Sequence, residues 1–307
     1  IEIYNFKNIK RSELDFKNSM LGLYGQNGSG KTALIDALDL VKTILCGQKV
    51  SSDFSNMIHV DADYSRIVVQ FTIDENGRHS EIEYSFKFNR SFIYDEILSY
   101  GYVDGEARVV KSKLIDTSNT TTFSPVSKYK SLIGPLKENE LDVMVIKRMV
   151  RKEFRSFIFS GELLEVVRNR SIECKDEEFL RHVYILESLV HFANYEFFVV
   201  KSKCCIGDSM VLSKGDLDCY RSRIASMNRV LPYLVSDLTL GVKVLGKELM
   251  RDSSIGYRVE LVSNTIPFKY ESDGVKRIVS ILQHLIEVFN GESVVVAIDD
   301  LDCGIHE

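Results

Sequence analysis

Apolar and polar residues alternate from the start of the chain. Ile1-Glu2-Ile3-Tyr4 has the period of a half-buried strand, Asn5 to Lys10 turns the chain, and Leu14-Asp15-Phe16 predicts a second strand running back. A third apolar run, Met20 to Tyr24, predicts another strand and leads directly into a glycine-rich stretch. From Ala33 to Ile44 the period lengthens, and Leu34, Ala37, Leu38, Val41 and Ile44 fall on one helical face. Residues 45–64 read as loop. Strands are predicted over Ile67 to Ile73 and Ile82 to Phe88, with a hairpin turn at Asp74-Glu75-Asn76-Gly77. Two more are predicted over Ile97 to Val103 and Ala107 to Val110, divided by Asp104-Gly105. Tight turns so soon after a glycine loop and helix imply an antiparallel sheet beside a parallel core.

From about Asn139 to Asn194 the pattern becomes helical and charged, with large apolar side chains such as Phe157, Phe159, Phe179 and Leu186 that suit a packed helical subdomain. Sustained heptads are missing, which argues against a long coiled coil. A further helix is predicted over Ser222 to Leu231, stopped by Pro232. Near the end, Ile278, Ile281, Leu282, Leu285 and Val288 mark an amphipathic helix. Asn290-Gly291 then turns into the apolar run Val294 to Ile298, read as a buried strand. The pattern divides into an N-terminal lobe over 1–135, a mainly helical insertion over 136–235 and a second lobe over 236–307.

Between the third apolar run and the first helix stands Gly25-Gln26-Asn27-Gly28-Ser29-Gly30-Lys31-Thr32. Strand, glycine loop and helix are the context in which this spacing binds phosphates. The glycines let backbone N–H groups converge on an anion at the positive end of the helix. Lys31 brings a point charge to the β- and γ-phosphates, and Thr32 a hydroxyl to Mg²⁺. Gly25 to Thr32, with Ala33 behind them, are therefore the candidate nucleotide ligands. The strand ending in Asp299-Asp300 has the Walker B form: the first carboxylate serves the Mg²⁺ shell, and the second orients or activates water. Ser272 can cap the helix that follows it, and Gly274 permits close approach to the backbone.

Composition narrows this picture. With 39 basic against 44 acidic residues the net charge is -5, so a basic field over the whole surface is not supported, although a local patch remains open. The cluster Lys147, Arg148, Arg151, Lys152 and Arg155 could meet phosphate, and a solvated helix face is the reading preferred here. The six cysteines are scattered; only Cys204, Cys205 and Cys219 lie near one another, and no histidine sits among those three, which suits free thiols better than a metal site. No apolar run reaches the roughly 18 residues needed to cross a bilayer, so a cytoplasmic protein without membrane attachment is expected.

These motifs together resemble the ABC-like ATPases of the SMC and RecF kind, and most closely the bacterial AAA-type ATPases grouped with the OLD (overcoming lysogenisation defect) proteins. Ile3-Tyr4-Asn5-Phe6-Lys7 matches that family's opening strand and Asn-Phe pair. Gly25 to Thr32 matches its Walker A, Ser272-Asp273-Gly274 its signature, and Ala297 to Glu307 its Walker B and D-loop. The resemblance implies an α/β P-loop NTPase with an ABC-type head, a parallel core sheet plus an antiparallel β subdomain, and a helical insertion. It also implies ATP and Mg²⁺ as cofactors, with Lys31, Asp299 and Asp300 in catalysis. ATP would be held between two copies of the chain, with Ser272 and Gly274 of one serving the nucleotide of the other. Asp273 stands where transporter-type signatures have glycine, and Asp300 where a glutamate is usual, which implies slow hydrolysis or a tolerant site. Ending directly after the D-loop, the chain reads as one piece of a longer protein. His306 is open to two roles, sensing nucleotide across a dimer or shaping the D-loop.

Three functions follow as expectations. One is an ATPase that dimerises around ATP and controls an effector, such as a nuclease on a separate chain or a C-terminal domain, in bacterial defence against phage. A second is a DNA-repair or chromosome-associated ATPase, with DNA as partner. The third is a nucleotide-binding scaffold that hardly turns over.

Overall fold

A computed structural model describes residues 1–16, 20–26, 28–75, 78–103, 109–117, 140–201, 209–249, 255–291 and 294–301. The chain divides into two units, Ile1–Tyr195 and Glu196–Glu307. The boundary differs from the three segments expected from the sequence pattern: the helices up to residue 191 belong with the first unit, and the next helix with the second.

The first unit is built on a six-stranded sheet in which every pairing is antiparallel. β1 (Glu2–Phe6) and β2 (Ile9–Glu13) form a hairpin through a turn in which Lys7 takes a left-handed φ of 49°. The second strand therefore begins before the apolar residues that suggested it. Ile9–Glu13 is mostly polar because it is an edge strand with its side chains turned to solvent, so it carries no apolar alternation to read. β3 (Ser65–Glu75) and β4 (Arg78–Phe88) pair from Ser65↔Phe88 to Glu75↔Arg78, so Asp74 and Glu75, expected in the hairpin turn over Asp74 to Gly77, are instead the last paired residues of β3. Asn76 and Gly77 lie outside the described residues. β5 (Ile93–Val103) and β6 (Val109–Asp116) complete the order β2-β1-β3-β4-β5-β6.

Helix α1 (Lys31–Leu45) follows the glycine loop and buries the predicted face, with Ala37, Val41 and Ile44 no more than 1% exposed. The stretch Met20 to Tyr24 is a different case. No described strand pairs with it, and Met20 is 87% and Tyr24 96% exposed. An apolar run becomes a strand only where a neighbour takes its backbone hydrogen bonds. Among the described residues of this unit three α-helices follow: α2 (Glu140–Lys152), α3 (Gly161–Glu173) and α4 (Glu177–His191). Ser160 caps α3 through Leu163 N–H, and Asp176 caps α4 through Glu178 and Phe179 N–H. Two residues of the basic cluster are tied down within the protein, while Arg148 and Lys152 are exposed. Arg155 forms a salt bridge with Glu162 at 2.5 Å and another with Glu153, while Arg151 lies 3.7 Å over the Phe92 ring.

Glu96 locks this unit together. β5 bulges opposite Phe86, with Asp95 at a φ of 50°, and the extra residue turns the Glu96 carboxylate into the core. There it accepts from Tyr84 Oη at 2.8 Å, from Phe157 N–H at 2.8 Å and from Ser156 Oγ. The loop held in this way, Ser156 to Ser160, covers the end of α1. A Cβ on Gly47, which has a φ of +64°, would meet Phe159 O at 2.2 Å, so only glycine fits where α1 ends.

The second unit contains a parallel pair and an antiparallel sheet. β7 (Phe197–Val200) pairs in parallel with β12 (Val295–Ile298), the one parallel pairing among the described residues. β8 (Met210–Leu212), β9 (Leu240–Leu249) and β11 (Ile266–Pro267) all pair antiparallel with β10 (Ile255–Ser263). Helix α5 (Lys214–Met227) starts earlier than predicted because Ser213 caps it through Asp216 N–H. Pro232 sits inside a short 3₁₀ turn, Leu231–Tyr233, beyond the end of that helix. Helix α6 (Asp273–Asn290) packs Val279 and Leu282 into a core with Met227, Leu231, Leu240, Leu261 and Phe268. Leu285 and Val288, expected on its buried side, are 47% and 37% exposed, because the apolar face is wider than that core covers.

Candidate functional site

The glycine loop is shaped for an anion. Gly28 and Gly30 take φ of 85° and 99°, where a side chain is strained, and Gly30 is the left-handed N-cap of α1 with no side chain bonded to the cap. The first bond of the helix ladder runs from Leu34 N to Gly30 O at 3.0 Å, so the N–H groups of Lys31, Thr32 and Ala33 head the helix. No acidic residue stands in its first turn. The loop closes on itself: Ser29 N donates to Gln26 O at 3.2 Å, and a Cβ on Gly25 would lie 2.9 Å from Ser29 Oγ. Lys31 Nζ bends over this ring, donating to Gly25 O at 2.6 Å and Gln26 O at 3.0 Å. An ammonium beside the N–H groups that head a helix is a cradle for polyphosphate, and the residues present fit that group. Thr32 and Gln26 are exposed beside it, and Asn27 lies outside the described residues.

Residues that the motif does not include brace the loop. Asn8, in the β1–β2 turn, donates from Nδ2 to Gly28 O at 2.5 Å, and Ile9 Cγ1 lies 3.2 Å from where a Cβ on Gly30 would sit. Lys7 pairs with Asp36 of α1 at 2.5 Å, tying the same turn to the helix. The opening hairpin thus holds the phosphate loop from below. Its only trace in the sequence is a short polar turn beside the first strand.

The remaining candidates lie in the second unit. Asp299 and Asp300 follow β12; Asp299 is buried and donates its N–H to Val200 O at 2.9 Å, while Asp300 is exposed with a φ of 45°. The run leading to them is only partly buried, since Val295 is 42% exposed in a two-stranded pairing. Ser272 caps α6 by accepting from Val275 N–H at 3.3 Å, and Gly274 lies in the first turn of the helix. Residues 302–307, with His306 and the rest of the D-loop, lie outside the described residues. Among the described residues no group of three or more His, Cys, Asp or Glu is arranged to hold a metal. That is compatible with Mg²⁺ in a P-loop site, where one or two protein oxygens suffice and phosphate and water supply the rest.

Residues 20–158 match the family described as "AAA domain, putative AbiEii toxin, Type IV TA system". The chain is 38% identical over 82 residues to the DNA replication and repair protein RecF of Parabacteroides distasonis, covering 27% of this chain and 21% of RecF. It is 32% identical over 82 residues to the chromosome partition protein Smc of Methanocaldococcus jannaschii, covering 25% of this chain and 7% of Smc. The chain thus spans no more than 21% of those relatives' own lengths. A solved structure of the recombination mediator protein RecF with ATP superposes on 100% of this chain and 85% of its own, at 15% identity and a TM-score of 0.46. Residues 20–158 are thus similar to an AAA domain, and shorter stretches of the chain are similar to RecF and Smc. Its fold is mixed α/β, an antiparallel sheet and helices around a P-loop. No helix among the described residues is long and apolar enough to cross a membrane.

Proposed function

We propose that this chain binds ATP with Mg²⁺ at Gly25 to Ala33 and hydrolyses it, as a cytoplasmic ATPase of the RecF and SMC kind. The observation that carries this reading is the glycine ring headed by Lys31 at the N-terminus of α1. Lys31 and the N–H groups of the loop stabilise charge on the transferred phosphoryl group. Thr32 and Asp299 would hold Mg²⁺, which would supply further charge neutralisation, and Asp300 would place the attacking water. Two copies of the chain close around the nucleotide, each contributing Ser272 and Gly274 to the other's ATP. The test is ATP turnover by the purified protein, alone and with duplex DNA. A Lys31→Ala variant is expected to lose both binding and turnover, and wild-type turnover in that variant would end the proposal.

Two settings for this activity have support. Homology to RecF and Smc favours work on DNA, for which the measurable sign is salt-dependent duplex binding. The description of the matched family, which names a toxin, favours control of an effector, such as a nuclease, in defence against phage. Duplex-stimulated turnover supports the first. Turnover that responds only to a co-encoded protein supports the second.

A further inference from the structure

We propose that Arg277 is a positioning residue for the Walker B carboxylates: a clamp through which the helix beginning at Ser272 fixes the backbone at Asp299 and Asp300. The proposal rests on the reading of those two carboxylates given above. Arg277 is only 2% exposed and stands just past the first turn of α6. Its Nη1 donates to Lys201 O at 2.6 Å, and its Nη2 donates to Asp299 O and, at 3.1 Å, to Asp300 O.

These three carbonyls belong together. Lys201 directly follows β7 and Asp299 directly follows β12, and the two parallel strands end side by side at Val200↔Ile298. Beyond that pair the bond from Asp299 N to Val200 O continues the ladder, and Arg277 adds donors to carbonyls at both strand ends. One planar guanidinium supplies them on both strands, which a lysine ammonium on its flexible stem cannot do with the same geometry. The clamp also grips the peptide of Asp300, whose left-handed φ of 45° is costly for a residue other than glycine and persists only where surrounding bonds hold it. Arg277 Nε has no hydrogen-bond partner, so the holding is done by the two Nη groups. The neighbouring cation, Lys276, pairs instead with Asp273 at 3.7 Å.

The consequence is mechanical. Ser272 and Gly274 open the same helix that carries Arg277, so a displacement of that N-terminus is passed through one side chain to the carboxylates. Arg277 itself touches neither nucleotide nor water in this account.

The test uses the full chain with Arg277→Met, which keeps the apolar stem and removes every donor, and Arg277→Lys. ATP affinity, read with a fluorescent ATP analogue, is expected to stay within about twofold of wild type, whereas kcat in Arg277→Met falls about 100-fold, the scale of a misplacement of about 1 Å. The Mg²⁺ concentration for half-maximal turnover rises, a shift that a merely structural arginine would not produce, and Arg277→Lys recovers part of both losses. Independently of turnover, hydrogen exchange in the peptides covering 196–201 and 294–301 speeds up in both variants, while exchange in 31–45 is unchanged. Wild-type kcat and Mg²⁺ dependence in Arg277→Met, or unchanged exchange at the two strand ends in both variants, would overturn the clamp. A wild-type protein that hydrolyses no ATP defeats the ATPase reading alone, and exchange then decides whether the clamp exists. If Arg277→Met does not fold, the same exchange comparison is made on Arg277→Lys.

Discussion

Replacing Glu96 with alanine tests the internal lock of the first unit. The carboxylate accepts from Tyr84 Oη, Phe157 N–H and Ser156 Oγ, and all four residues are 3% exposed or less. Alanine strands these donors in the interior, where an unmet group costs about 1–3 kcal/mol, although the Ser156 hydroxyl can turn elsewhere. Removing a desolvated carboxylate offsets part of this, and the net loss expected is about 3–5 kcal/mol. Glutamine keeps the shape; its amide can donate to the two hydroxyl oxygens while its oxygen still accepts, so Glu96→Gln should cost about 1 kcal/mol. Urea unfolding followed by far-ultraviolet circular dichroism measures the difference. With a slope of about 2 kcal/mol per molar urea, Glu96→Ala moves the midpoint of the first unit down by about 1.5–2.5 M. The transition of the second unit should stay in place, since two units need not unfold as one. A Glu96→Ala protein within about 0.5 kcal/mol of wild type would refute the reasoning.

Burial also pushes the Glu96 carboxyl above its ordinary value, with donors from Ser156, Phe157, Tyr84 and Ile158 pulling it back. The folded protein then holds this proton more tightly than the unfolded chain. The stabilisation is complete below the ordinary carboxylate value and is lost as pH rises through the raised one. The stability of wild type relative to Glu96→Gln should therefore fall with rising pH over that window, and a flat difference would contradict the assignment. Gly30→Ala places a side chain at a φ of 99°, 3.2 Å from Ile9 Cγ1; its ATP affinity, by equilibrium titration, should fall about tenfold or more. Ser272→Ala removes the cap of α6 and should cost the second unit about 1 kcal/mol in urea unfolding. Light scattering should show the same variant failing to dimerise with ATP; ATP-dependent dimers as stable as wild type would remove Ser272 from the composite site.

The glycine loop and the helix it opens were legible in the sequence because their geometry is local. Left-handed backbone at Gly28 and Gly30 calls for glycine, and Lys31 sits at the head of the helix they start, so residue type and spacing carry the whole signal. The hairpin of β3 and β4 was legible for the same reason, although Asp74 and Glu75, read as turn, belong to β3. Edge strand β2 was not, since residues such as Lys10 and Arg11 face solvent and leave no apolar period. Met20 to Tyr24 has the composition of a strand, yet a strand also needs a partner. Glu96 and Arg277 were missed for a common reason. Glu96 meets Phe157 across 61 positions and Arg277 meets Lys201 across 76, and no periodicity encodes contacts of that range. Asn8 is closer, 20 residues from Gly28, but a single asparagine in a turn says nothing about which carbonyl it holds.

The central claim is that Lys31 and the ring of glycines before it hold the phosphates of ATP. Equilibrium titration of ATP with Mg²⁺ against wild type and Lys31→Ala, with folding verified by circular dichroism, tests it most directly. The account predicts saturable binding by wild type and none measurable by a folded Lys31→Ala protein. Equal affinity in the two proteins would contradict it.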